Sequence, residues 1–459
     1  MWRNKVNKLR VKDILKVTNG MLLCGNEEEE CINFCKDTRT IEKDDIYVGF
    51  KGEKFDGSAF YREALLKGAK GCIINEFENI EKVEDKFIIV VKDTVQAIGK
   101  IAELKRSMYD IPVVAITGSV GKTSTKDMIY SVVSQKFKTL KTQGNMNNEI
   151  GLPFTILGLK DEEALVVEMG MNHFGELSRL TNIAKPSIAV ITNVGTAHIG
   201  NLGSRENILK AKLEILEGLQ EKGRVVINND NDLLHKWNGE QNKYKVETFG
   251  IKNKSKNMAE NIQYRENGSS YIFENEEIEV PVGGEAFVYN SLAAISVGKI
   301  LKIDIEKIKR GIETFELSKM RLDVIKSKNG YTIINDCYNA NYDSMKSALE
   351  YLGKIADKRK IAVLGDMLEL GEFSNTLHEK VGEEVIKNNV DVLITVGKEA
   401  RNIANVAKNK KIEIYEFESN QDAISKLKKI IKKEDTILVK ASNSMNFKEI
   451  VNAFKDMEA

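Results

Sequence analysis

Val113-Val114-Ala115-Ile116-Thr117-Gly118-Ser119-Val120-Gly121-Lys122-Thr123-Ser124-Thr125-Lys126 reads as an apolar strand that enters a glycine turn and leaves it as a helix. Gly118 and Gly121 let the backbone curl until successive N–H groups face one concavity, which suits phosphate oxygens. Lys122 adds a mobile positive charge for the β- and γ-phosphates, and the Thr123 hydroxyl is a ligand for Mg²⁺. The full phosphate-loop pattern has a further glycine where Ile116 stands, so this is a shortened G-x-x-G-K-T form. The loop Gly118, Ser119, Val120, Gly121, Lys122, Thr123 and Ser124 is therefore expected to bind ATP.

Other apolar runs repeat the same strand pattern: Leu165–Glu168, Ile188–Val194, Val225–Asn228, Ile361–Gly365, Val392–Gly397 and Ile437–Lys440. Uninterrupted runs alternating with helical patterns predict strands buried on both faces of parallel sheets, joined by right-handed βαβ crossovers. At roughly 150 residues per domain, the 459-residue chain is expected to hold three units. These are a small N-terminal α/β domain at 1–93, a central P-loop parallel-sheet domain at 94–317 and a C-terminal Rossmann-like domain at 318–459. The acidic run Glu27–Glu30 and the polar stretch Lys252–Asn261 read as loops, the latter before a hairpin around Tyr271–Val280. An amphipathic helix is expected through Ile424, Leu427, Ile430 and Ile431, with Lys432 and Lys433 on its solvated face.

Lys and Arg total 69 against 68 Asp and Glu, a net charge of +1, which argues against a nucleic-acid binder that depends on a basic field. No apolar run is long enough to cross a bilayer. The basic stretch Met1–Leu15 lacks the apolar core of a signal peptide, and the five cysteines show no paired spacing. A cytoplasmic protein with reduced thiols is expected.

Four further clusters follow the loop. Gly144–Gly151 carries Asn145, Asn147 and Asn148, suited either to polar ligand oxygens or to plain turn chemistry. Glu168 and His198 each lie at or just past a strand end, where ligands sit in open α/β sheets. A carboxylate there can take magnesium or cap the next helix. Lys210 and Lys212 lie on one helix and read as surface lysines.

The phosphate loop, the Asn-rich segment, the Glu168 and His198 strand ends and the Lys212 helix occur in the order found in Mur ligases, and the chain resembles that family. Three further motifs add detail: Asn335-Asp336-Cys337-Tyr338-Asn339-Ala340-Asn341, Leu364–Gly371 with His378, and Asp37-Thr38-Arg39 with Asp56-Gly57. With the Asn-rich segment they resemble the branch that adds D-alanyl-D-alanine to UDP-MurNAc-tripeptide, through an acyl phosphate made at the expense of ATP. The resemblance implies catalytic roles for Lys122, Glu168, His198, Lys212 and Arg321. It implies that Thr123 and Glu168 hold one Mg²⁺ and that His198 and a carbamylated Lys212 serve the metal site. Asn290, Asp336 and Arg321 match nucleotide contacts. Asp37, Thr38, Arg39, Asn145, Asn147, Asn148, Tyr338 and Asn339 match substrate contacts. A monomer with small-molecule substrates and no nucleic acid or membrane partner is implied.

Other readings are an amino acid ligase of another Mur or folylpolyglutamate type, and a nucleotide-binding regulator without turnover. The chain departs from the branch at Ser58, Ala286, Tyr342 and Asn443. Whether the tripeptide ends in lysine or diaminopimelate is left open.

Overall fold

The alternation of apolar runs and helical patterns builds four larger sheets in the computed structural model, which describes residues 8–455 apart from 54, 77–78, 266–267, 318–319 and 409. The first residues of the basic N-terminal stretch, and Ser318, where the third unit is expected to begin, lie outside the described residues.

The seven-stranded sheet decides the position of the site. Its strands run in the order Asn257–Met258, Lys245–Gly250, Arg224–Asn228, Ile188–Ile191, Val113–Thr117, Ala164–Glu168 and Thr139–Lys141, all parallel. Val113–Thr117 lies centrally and all five of its residues are buried. Fully burying a Val or Ile is worth about 2 kcal/mol, so a run with no polar alternation is stable only with both faces covered. The helix Glu285–Ile300 provides part of that cover. It is apolar almost all round, and the small residues Ala293, Ala294 and Gly298 let it pack closely on the helix Lys122–Val133.

The six-stranded sheet runs Asp323–Lys326, Thr332–Asn335, Thr436–Lys440, Lys360–Gly365, Val392–Val396 and Glu413–Phe417. It is parallel except for its first pair. The five-stranded sheet, Met21–Cys24, Phe87–Val91, Gly71–Asn75, Ile46–Val48 and Phe34–Cys35, is also parallel except for one pair. A three-stranded antiparallel sheet, Glu260–Arg265, Gly268–Phe273 and Glu276–Val280, contains the expected hairpin. Between the five- and seven-stranded sheets lies the helix Thr94–Ser107, capped by the Asp93 carboxylate on the Val95 and Gln96 N–H groups.

Several local expectations change. The strand expected to reach Val194 ends at Ile191, because the Thr192 and Asn193 side chains turn to grip the phosphate loop. The acidic run is no free loop: Glu28 pairs with Arg10 and Lys12, and Glu30 lies in the strand Glu30–Cys31. Lys252–Asn261 includes the edge strand Asn257–Met258 and the start of the next sheet. The lysine-rich helix is Asn420–Ile430, so Ile431 is its C-cap and Lys432 and Lys433 lie beyond it. All five cysteines are free thiols. Among the described residues no helix is long and apolar enough to cross a membrane.

Candidate nucleotide and ligase site

Strand C-terminal ends of the six- and seven-stranded sheets open on one shared cavity of about 400 Å³. On the seven-stranded side its wall is the turn after Val113–Thr117. Gly121 has φ 81°, the left-handed region glycine tolerates, and serves as N-cap of the helix Lys122–Val133. Gly118 is close-packed, its missing Cβ directed at the Thr192 hydroxyl. Lys122 Nζ donates to the Gly118 carbonyl at 2.9 Å. Burial holds its pKa below the usual lysine value, while Glu168 acts in the opposite sense.

A second loop fixes this turn. Asn193 Oδ1 accepts the N–H groups of Ser119 and Val120, both at 2.9 Å. The Thr192 hydroxyl donates to the Val120 carbonyl at 2.7 Å, and the Gly195 N–H donates to Ser119 Oγ at 2.9 Å. Two N–H groups of the turn are thus occupied within the protein. Those of the following helix start remain directed at the cavity.

Glu168, the buried last residue of its strand, joins two motifs. Its carboxylate accepts the Thr123 hydroxyl at 2.8 Å and the Asn147 amide at 2.7 Å. This answers the helix-cap alternative, since both partners line the cavity. The asparagines divide between the two sequence readings. Asn147 serves Glu168, whereas Asn148 Oδ1 accepts the Gly151 N–H at 2.9 Å and closes the turn into the helix Gly151–Leu157. Asn145 also lines the cavity, and Asn290 Oδ1 accepts the Thr125 hydroxyl at 2.8 Å.

The six-stranded side provides Arg321, Asp336, Tyr338 and Asn339. The Arg321 guanidinium stacks 4.0 Å over the Tyr338 ring. Asp336 Oδ2 pairs with Lys440 Nζ at 2.6 Å, and Lys440 is 2% exposed and donates also to the Asn339 carbonyl at 2.9 Å. Asn443 donates its amide to the Tyr338 carbonyl at 2.9 Å. His198 lines the cavity from the seven-stranded side, with φ 63° and its Nδ1 2.7 Å from Glu369 Oε2. That contact lowers the Glu369 pKa.

Lys212 corrects the surface-lysine expectation. It is 1% exposed and lies on the buried face of the helix Arg205–Leu213, and its ammonium makes no hydrogen bond or ion pair among the described residues. Burial drives its pKa well below the usual lysine value, and the nearby Lys122 adds to the effect. It lies behind the cavity wall rather than on it. Lys210, two residues earlier, is exposed as expected.

Asp37, Thr38 and Arg39 lie outside the cavity, on an exposed turn of the five-stranded unit. Asp37 accepts the Arg39 N–H at 3.0 Å and pairs with its guanidinium, which lowers its pKa to about 2. Sequence reasoning missed Asn193, Asp343, Glu369 and Lys440. Asn193 carried a signal as a polar residue two places past a buried strand, Glu369 lies in the Leu364–Gly371 motif, and Lys440 ends a buried apolar run.

No three His, Cys, Asp or Glu side chains among the described residues converge to hold a metal ion by themselves. The donor set fits magnesium nonetheless. A hydroxyl and a carboxylate 2.8 Å apart beside a phosphate loop are hard oxygen ligands of the kind that share Mg²⁺ with nucleotide phosphates.

Residues 116–298 match the Mur ligase middle domain, and residues 320–443 match the Mur ligase glutamate ligase domain. The UDP-N-acetylmuramoyl-tripeptide–D-alanyl-D-alanine ligase of Bacillus subtilis strain 168 is 35% identical over 453 residues, 97% of this chain and 98% of that protein. The Escherichia coli K12 enzyme of the same name is 32% identical, covering 92% and 93% of the two chains. MurF from Acinetobacter baumannii superposes with a TM-score of 0.90 at 27% identity over 98% of this chain and 100% of that one. MurF from Thermotoga maritima in complex with ADP gives 0.82 at 30% identity, over 92% and 97%. A cavity built on a phosphate loop by two largely parallel sheets, with relatives matching along almost the whole chain, leads to one conclusion: the chain belongs to the Mur ligase family.

Proposed function

We propose that the protein is an ATP-dependent ligase that joins D-alanyl-D-alanine to the tripeptide of UDP-N-acetylmuramoyl-tripeptide in peptidoglycan precursor synthesis. The carrying observation is the cavity in which Lys122, Thr123 and Glu168 of one unit face Arg321, Asp336 and Tyr338 of another. Full-length likeness to ligases of that name supplies the substrates.

The chemistry requires two anions to meet. The tripeptide carboxylate attacks the γ-phosphorus of ATP, an O–P bond forms, and ADP leaves. The D-alanyl-D-alanine amine then attacks the acyl carbon, phosphate departs, and the amine loses a proton. Lys122 and Arg321 offset the repulsion of the first step. Asn290 and Asp336 orient the nucleoside, and Asn145, Tyr338 and Asn339 contact the peptide substrates, with Asn147 holding Glu168 and Asn148 shaping the loop. Thr123 and Glu168 would hold a Mg²⁺ ion, which would neutralise phosphate charge. His198 would help hold a second ion, and Lys212, once carbamylated, would be a further magnesium ligand. Burial favours the neutral amine form of Lys212 over the ammonium. Such an amine can attack carbon dioxide, lose a proton and become an anionic carbamate.

The unit at 1–93, with Asp37, Thr38 and Arg39, takes the UDP-sugar. The unit at 94–317 binds ATP, and the unit at 318–459 presents the incoming dipeptide. The enzyme works as a cytoplasmic monomer. The test is isotopic: with ¹⁸O in the tripeptide carboxylate, one labelled oxygen passes into the released phosphate. Unlabelled phosphate rules out the acyl phosphate.

A further inference from the structure

The cavity is shared by two units, so its shape depends on where they dock. The segment Thr192–Gly200 touches both. Its first half grips the phosphate loop through Asn193 Oδ1 and the Gly195 N–H. Its second half faces the six-stranded unit. The Thr196 N–H and hydroxyl both donate to Asp343 Oδ2, at 2.7 and 2.8 Å. The Gly200 N–H donates to the Glu369 carbonyl at 3.2 Å.

Two glycines make this contact possible by their size. A Cβ on Gly195 would overlap Asp343 Oδ2 and lie 2.6 Å from its Cγ. A Cβ on Gly200 would lie 2.6 Å from the Glu369 carbonyl oxygen and 2.7 Å from the Gly371 nitrogen. Gly195 has no left-handed φ, so the neighbouring carboxylate, rather than the backbone, excludes a side chain there. Asp343 sits in the first turn of the helix Tyr342–Ile355, directly after the segment that carries Tyr338 and Asn339 into the cavity. A carboxylate there is favoured by the helix dipole and so is held at the mouth of the notch.

We propose that Asp343, seated in the notch over Gly195, is a positioning residue that fixes where the six-stranded unit docks and ties that docking to the phosphate loop. The inference rests on the ligase reading for its consequence. Arg321, Asp336 and Tyr338 reach the cavity as one body with Asp343, while Lys122 and Asn290 belong to the other. Emptying the notch separates the two halves of the nucleotide site. Asp343 itself does not line the cavity, so the loss is one of assembly.

The test is a double-mutant cycle of Gly195→Ala and Asp343→Ala in the full-length protein, read by ATP KM, by kcat and by small-angle scattering. Gly195→Ala in the native background is expected to raise the ATP KM at least tenfold and enlarge the radius of gyration. In the Asp343→Ala background the same change is expected to alter KM less than twofold, because the carboxylate it would meet is gone. Asp343→Asn keeps an acceptor for the Thr196 N–H and should recover most of the native KM. Thr196→Val, which removes one donor without adding bulk, should raise KM severalfold only when Asp343 is present.

Equal damage from Gly195→Ala in both backgrounds overturns the proposal, as does a native KM for Asp343→Ala. If Gly195→Ala does not fold in the native background, folding in the Asp343→Ala background supports the notch and failure in both overturns it. Scattering reads docking without turnover, so a failed cycle is distinct from a native protein that releases no phosphate, which would contradict the ligase reading alone.

Discussion

Asn193 offers the sharpest perturbation, because its one amide oxygen holds two N–H groups of the phosphate turn. Replacing it with alanine has unequal consequences for the two. The Ser119 N–H keeps a longer bond to the Asn193 main-chain carbonyl at 3.2 Å, whereas the Val120 N–H loses its acceptor. A net hydrogen bond is worth about 1 kcal/mol, and an unpaired buried donor costs about 1–3 kcal/mol. One full loss and one partial loss therefore weaken the ordered turn by about 2 kcal/mol. Since 1.4 kcal/mol is a factor of ten, the ATP KM of Asn193→Ala should rise roughly 10- to 30-fold, with a smaller effect on KM for the dipeptide. Asn193→Asp restores an acceptor but adds negative charge beside the phosphates, so it should bind ATP weakly while matching native thermal stability. Phosphate release measured across an ATP titration reads both variants. An unchanged or lowered ATP KM for Asn193→Ala would refute the reasoning, and would mean that the freed N–H groups serve the nucleotide directly.

Lys122→Ala should remove turnover by at least a thousandfold while leaving the circular dichroism spectrum and unfolding midpoint near native; near-normal phosphate release would count against the loop assignment. Lys440→Met leaves the Asp336 carboxylate without its buried partner and should cost about 3 kcal/mol in urea denaturation, with a loss under 1 kcal/mol contradicting the pairing seen at 2.6 Å. His378 is fully buried, its Nε2 accepting the Met367 N–H at 3.0 Å and its Nδ1 facing the Ser374 carbonyl at 2.8 Å, so burial lowers its pKa. The unfolded chain then binds a proton that the folded chain refuses. Stability should fall as pH drops below about 6.5, by up to about 1.4 kcal/mol per pH unit. His378→Gln should flatten that slope in melting curves from pH 7.5 to 5.5, and an identical slope would exclude this residue as the cause.

The strands around the site were legible because a strand buried on both faces must be apolar along its run, as Val113–Ile116 and Ala164–Val167 are. Their limits were less so. Ile188–Val194 reads as one run, yet the Thr192 and Asn193 side chains bind the phosphate turn, a competition that hydrophobicity alone does not register. Lys212 reads as a surface lysine on sequence alone, and only the resemblance singles it out. Ile208, Ala211 and Ile215 are buried, and Lys212 stands four residues from Ile208, on the face where the helix turns inward. A lysine at that position is either mispacked or functional. Asn147 and Asn148 show the opposite limit, since adjacent identical residues took the two rival roles.

What could not be read were the contacts that close the cavity. Thr196 meets Asp343 across 147 positions, His198 meets Glu369 across 171, and Lys440 meets Asp336 across 104. No local periodicity encodes a pairing of that separation. The size of Gly195 likewise has meaning only once Asp343 is beside it. Motif order identified the family, while the way its parts are held together required coordinates.

The most direct measurement of the central claim is phosphate release from ATP and Mg²⁺ in the presence of UDP-MurNAc-tripeptide, with and without D-alanyl-D-alanine, together with the mass of the nucleotide-sugar product. The account predicts sustained release only with both substrates and a UDP-MurNAc-pentapeptide in amount equal to the phosphate. ATP binding without dipeptide-dependent release, or release without the pentapeptide, would contradict it.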